Sequence, residues 1–97
     1  MASHSELLIP PAAGQDERSA EMVRAWVANK ALHCTLRIGV WKDPGAWGIL
    51  LADLARHVAN AHHEQEGRDV TESLARIRKA FDAELDAPTD TPFGEFA

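Results

Sequence analysis

Hydrophobic residues change their spacing along this chain, and each spacing predicts a different element. Between Ala31 and Trp41, one set of apolar residues alternates with a second set that includes His33 and Arg37. The first set is Leu32, Cys34, Leu36, Ile38 and Val40. A two-residue period is typical of a strand with one buried face. The pattern therefore predicts a long strand over residues 31–41.

Beyond this strand the apolar spacing becomes three and four residues. The stripe consists of Trp47, Leu50, Leu51, Leu54, Val58 and Ala61. Such spacing places the side chains on one face of a helix. Asp43 is suited to cap the first turn, Pro44 fits the first helical position, and Gly67 can adopt the left-handed conformation that ends a helix. We expect a helix from about Pro44 to Glu66 with this stripe in the core.

Two further rows flank the stripe on the same helix. Small residues form one row, which would let another backbone approach closely: Gly48, Ala52, Ala55 and Ala59. Polar residues form the other row: Asp53, His57, Asn60 and Glu64. Of the three rows on this helix, only the polar row leaves room for binding chemistry.

Weaker patterns predict three more elements. Asp69 and Glu72 form a capping box ahead of an apolar row, which predicts a helix over residues 70–85. A first helix is expected over residues 17–29, capped by Asp16, with Met22, Val23, Trp26 and Val27 on one side. Leu7, Leu8 and Ile9 suggest a short extended segment that Pro10 and Pro11 stop.

Together these elements predict an α+β fold in which three helices pack on a small sheet, in the order β-α-β-α-α. The sheet would contain one long strand and one short N-terminal strand. Residues 1–86 would form a single domain, and residues 87–97 a mobile acidic tail. A two-stranded sheet is marginal by itself. The long strand could pair inside the chain or with its copy in a second chain, and we favour a homodimer because it supplies the missing pairing.

Charge and composition narrow the function classes. The 97 residues carry a formal charge of −5. All of this excess comes from the five acidic residues after position 81, so the body has no electrostatic affinity for nucleic acid. Neither a membrane span nor a secretory signal is evident, and Cys34 is a lone cysteine. The sequence therefore predicts a cytoplasmic protein that binds neither nucleic acid nor membranes.

Candidate chemistry is limited to a few side chains. His57 follows Asp53 by one helical turn, a spacing that can hold an ion and that also occurs as an ordinary surface pair. Arg37 could bind an anion beside Trp41, or pair with a carboxylate such as Asp53. Aromatic residues could line a cleft or simply pack. The candidate ligand-binding set is Arg37, Trp41, Trp47, Asp53 and His57; no catalytic residue, metal ligand set or cofactor motif is predicted.

Two segments carry a family resemblance. They are ELLIPPAA near the start and LRIGVWKDPGAWGILLADLARHVANA over residues 36–61. Both resemble an uncharacterised family of short bacterial proteins, chiefly alphaproteobacterial, that is known as a domain of unknown function. The resemblance extends over about residues 6–85. It implies no activity, cofactor or site residue.

The functional prediction is a small, non-enzymatic protein-interaction module, a homodimer with an unidentified protein partner. The alternative is a small-molecule or metal-ion binding protein that uses the Asp53/His57 face of the central helix near Arg37, Trp41 and Trp47. Convergence of Asp53 and His57 on a deep pocket would favour the alternative, and a flat exposed face would count against it.

Overall fold

A computed structural model describes residues 5–97 and shows an α+β fold. Its elements are α1 (Pro11–Gln15), β1 (Val23–Ala28), β2 (Ala31–Leu36), α2 (Gly45–Glu66), α3 (Val70–Asp86) and β3 (Phe93–Phe96). The predicted class is confirmed, while the order is α-β-β-α-α-β rather than β-α-β-α-α. Residues 7–9, predicted as a short strand, have no regular structure.

β1 lies where a first helix was expected, and it pairs with β2 in an antiparallel hairpin. Asn29 and Lys30 form its two-residue turn, with positive φ angles of 52° and 62°. Asparagine accepts such angles readily, and consecutive left-handed residues match the twist of a hairpin. The prediction of a helix over residues 17–29 was wrong because a short apolar run also fits helical spacing.

A third strand lies in the segment for which the sequence predicted a mobile tail. β3 pairs with β2 in parallel, so the sheet order is β1-β2-β3. Gly94 has a φ of 141°, and a Cβ added there would lie 1.6 Å from the carbonyl oxygen of Cys34. A glycine is therefore required where β3 crosses Cys34.

The predicted long strand ends earlier than its alternation suggests. β2 stops at Leu36 instead of Trp41. Two backbone hydrogen bonds continue the pairing a little further: the Arg37 N–H donates to the Met22 carbonyl at 3.0 Å, and the Ile38 N–H donates to the Ala97 carbonyl at 3.1 Å. β2 therefore has a partner on both sides within its own chain.

The two long helices follow the prediction closely. Pro44 holds the N-cap position of α2 with helical angles, and the side chain of Asp43, the predicted cap one residue earlier, accepts from the Gly45 N–H at 2.9 Å. Gly67 ends α2 with a φ of 71°. The Glu72 N–H donates to Asp69 Oδ2 at 2.9 Å, which is the predicted cap of α3. Sequence signals at helix ends were sufficient here because the caps are local.

Packing divides the chain into two halves. β1, β2 and β3 form the sheet, and α2 packs on α3 as a helical hairpin. Among the described residues, no strand packs against α2 or α3, so the predicted packing of helices on the sheet does not occur within one chain. Ala59, between the two helices, is the one fully buried residue in this part of the chain.

Candidate interaction surfaces

α2 buries only the Ala55–Ala59 part of its small-residue row, and of its predicted apolar stripe it leaves Leu51, Leu54 and Val58 exposed. Ala59 is fully buried and Ala55 half-buried, whereas Leu54 remains 49% exposed. The rows lie about 100° apart around the helix, so one neighbouring helix cannot cover both. We call the uncovered residues on the two helices the helical stripe: Leu51, Leu54, Val58, Phe81 and Leu85.

One face of the sheet is apolar throughout. Side chains directly opposite in the register share a face, and successive residues alternate between faces. The register therefore collects one apolar set, which we call the Val27 face: Val23, Ala25, Val27, Leu32, Cys34, Leu36 and Phe96. Val27 is 85% exposed and Phe96 77% exposed. A sheet with one apolar face ordinarily packs that face on a core, and no helix in the described part of the chain packs on this one.

The opposite face of the sheet is more polar and contains an open concavity. Trp26 lies opposite His33, and the His33 ring stacks on Phe93 with a centroid distance of 5.1 Å. Trp26, His33, Thr35 and Glu95 help to line a concavity of about 480 Å³. Sequence reasoning missed this surface because Trp26 was assigned to a helix. The alternation that places His33 and Cys34 on opposite faces was correctly predicted.

The five residues predicted as a ligand-binding set do not make mutual contacts as a group. Trp41 and Trp47 do meet, edge to face, with centroids 5.2 Å apart. Arg37 Nε donates instead to the Glu21 carbonyl at 3.1 Å, near the start of β1. Asp53 and His57 lie one turn apart on the exposed side of α2. A ligand shared by these residues stays a prediction.

A small polar cluster surrounds the loop between α2 and α3. His62 Nδ1 bonds to the Glu66 carboxylate, and Arg68 Nε lies 3.8 Å from the same group. The hydrogen bond from His62, with the positive charge of Arg68, lowers the pKa of Glu66 from its usual value of 4.5. These groups are exposed to water. The cluster therefore lies on the surface at the end of α2 and does not form an enclosed site.

Residues 5–97 contain neither a metal site nor a membrane-spanning helix. No group of three histidine, cysteine or acidic side chains there has the geometry to hold a metal ion. No helix in this range has both the length and the apolar content that a membrane crossing requires. The notable surfaces of the described chain are therefore its uncovered apolar faces and the open concavity.

Comparisons with known proteins identify the family of this chain. Residues 6–89 match the domain of unknown function DUF5076. The chain belongs to that family. A similar solved structure is that of a protein described as a "putative pyruvate dehydrogenase" from the photosynthetic bacterium Rhodopseudomonas palustris CGA009, with a TM-score of 0.73. The two are 34% identical over 94% of this chain and 93% of that one. No curated protein matches this member of DUF5076 significantly.

Proposed function

We propose that this member of DUF5076 is a protein-interaction module that works as a homodimer. The observation that carries the proposal is the accessible surface of the single chain, 8757 Å². A compact monomer of 10.6 kDa would expose about 5,500 Å². The chain therefore exposes about 3,300 Å² more than its size requires.

The shape of the chain agrees with this excess. Its radius of gyration is 15.4 Å, whereas a compact domain of this length has a radius of about 12.5 Å. The lack of packing between the sheet and the helical hairpin contributes to this difference. A single chain thus has two halves and almost no buried core between them.

The exposed excess is of the kind that drives association. Leu54, Val27 and Phe96 are large apolar side chains that stay exposed on the helical stripe and the Val27 face, and exposed apolar patches mark interaction sites in soluble proteins. Leu7 and Leu8, each 95% exposed, add a third uncovered segment. If each chain covers half of its excess, the pair buries roughly 3,300 Å², which is within the range of obligate homodimers.

The support for a dimer differs from the reason the sequence offers. The sequence predicts an underpaired strand, yet β2 pairs on one side with β1 and on the other with β3. The proposal now rests on uncovered side chains rather than on unpaired backbone. Removal of apolar side chains from water is the dominant favourable term in most protein association.

A matched pair of substitutions on α2 tests the proposal. Leu54→Glu puts a charge on the helical stripe, and we expect it to weaken the dimer on the order of 30-fold, or about 2 kcal/mol. Arg56→Glu makes a larger charge change on the opposite, polar side of the helix and should leave the dimer intact. Sedimentation velocity over a dilution series measures both. Equal effects of the two substitutions, or none from Leu54→Glu, would contradict the proposal.

A further inference from the structure

The chain presents two uncovered apolar surfaces that differ in kind. The helical stripe lies on the α2–α3 hairpin, and the Val27 face lies on the sheet. A segment of a few residues after Ile38 joins the two halves, since α2 begins at Gly45. In an α+β protein, a helical layer ordinarily covers one face of the sheet. Both layers of such a core are therefore present, although one chain does not bring them together.

Three symmetric arrangements could cover these surfaces with a second copy. Packing sheet on sheet would leave both helical stripes in water. Packing hairpin on hairpin would leave both Val27 faces in water. Placing the hairpin of each copy on the sheet of the other covers all four surfaces through one repeated contact, as two-fold symmetry requires.

The number of apolar surfaces that each arrangement covers distinguishes the three. The reciprocal arrangement uses both the helical stripe and the Val27 face, so it covers more of the exposed apolar surface than either alternative. We propose that the chain assembles reciprocally: the helical stripe of each copy packs on the Val27 face of the other. This inference rests on the proposed homodimer.

Reciprocal packing completes the core that one chain lacks. Leu54 and Val58 would bury their side chains against Val27 and Leu32 of the second copy, which gives each half a packed partner. Ala59 and Ala55 would continue to hold α2 against α3 within each chain. The hairpin and the sheet of any one core then come from different chains.

The native cysteine allows a direct test. Cys34 is a free thiol on the Val27 face and the one cysteine of the sequence. One chain keeps Cys34, and a second, differently tagged chain carries Cys34→Ser with Leu54→Cys. The two are co-expressed, treated with a short bismaleimide linker and analysed by peptide mass spectrometry. Reciprocal packing predicts a link between position 34 of one chain and position 54 of the other.

Controls make each outcome decisive. Cys34→Ser with Arg56→Cys places the thiol on the far side of α2 and should give no link, while Cys34→Ser with Val58→Cys repeats the test one turn away. A link between two Cys34 residues shows sheet-on-sheet packing, and a link between two residues at position 54 shows hairpin-on-hairpin packing. Either result, or a dimer with no mixed link at 54 or 58, overturns the arrangement while leaving the homodimer standing. A monomeric molar mass overturns the homodimer as well.

Discussion

Single residues decide whether the sheet forms as described. Gly94 is the clearest case, because its φ of 141° and its position against the Cys34 carbonyl leave no room for a side chain. Asn29 and Lys30 similarly determine the hairpin through their positive φ angles. These positions specify backbone geometry, which hydrophobic spacing does not reveal.

A Gly94→Ala substitution should detach β3 from β2. The added methyl group would overlap the Cys34 carbonyl, and each backbone hydrogen bond lost with the strand costs roughly 0.5–1.5 kcal/mol. Hydrogen exchange of the Ala97 amide, which donates to the Leu36 carbonyl at 2.7 Å, reports the loss directly. Gly39→Ala is the control, since nothing lies within 4 Å of its added Cβ. Unchanged protection of Ala97 in Gly94→Ala would show that the strand pairs differently.

The lowered pKa of Glu66, at the end of α2, predicts that the stability of the fold depends on pH. Its pKa is lowered first by the His62 hydrogen bond and then by Arg68. A lowered folded-state pKa stabilises the fold above the ordinary value of 4.5 and loses that contribution as the pH falls through the lowered pKa. His62→Ala should therefore raise the pKa of Glu66 toward 4.5, as measured by carboxyl NMR titration. An unchanged pKa would assign the effect to Arg68.

At the scale of elements, α2 and α3 were predictable because their signals are local. Asp43, Asp69 and Gly67 act within one turn of the helix ends they determine. β1 and β3 were not, since their identity depends on pairing with β2 from elsewhere in the chain. Met22, Val23, Trp26 and Val27 fit a helix equally well until β2 is placed beside them.

The cap of α3 provides a stability test at this scale. Asp69→Ala removes the acceptor for the Glu72 N–H and should lower the free energy of unfolding by about 1 kcal/mol. Asp69→Asn keeps an oxygen acceptor and should lose markedly less. Denaturant unfolding measures both, at one fixed protein concentration because assembly shifts apparent stability. Equal stabilities of Asp69→Ala and the parent protein would show that the cap contributes nothing.

Prediction of the candidate site from sequence was also partial. The spacing of Asp53 and His57 correctly places them one turn apart on α2, and Trp41 does contact Trp47. Arg37 could not be placed, because its partner is a backbone carbonyl that becomes adjacent only when the hairpin forms. The stripe from Leu51 to Val58 was expected in the core, yet one chain leaves it exposed. Periodicity identifies an apolar face without identifying what covers it.

At the scale of the whole molecule, the proposed homodimer would join two copies of a chain that leaves apolar faces exposed. Its sheet and helical hairpin are each well formed, and each displays an apolar face that the other half of the same chain does not cover. The proposed function is therefore association with a second copy.

The molar mass of the parent protein in solution tests this claim most directly. Light scattering coupled to size exclusion, over a micromolar dilution series, should give twice the chain mass of 10.6 kDa. A mass equal to one chain throughout the series would contradict the account.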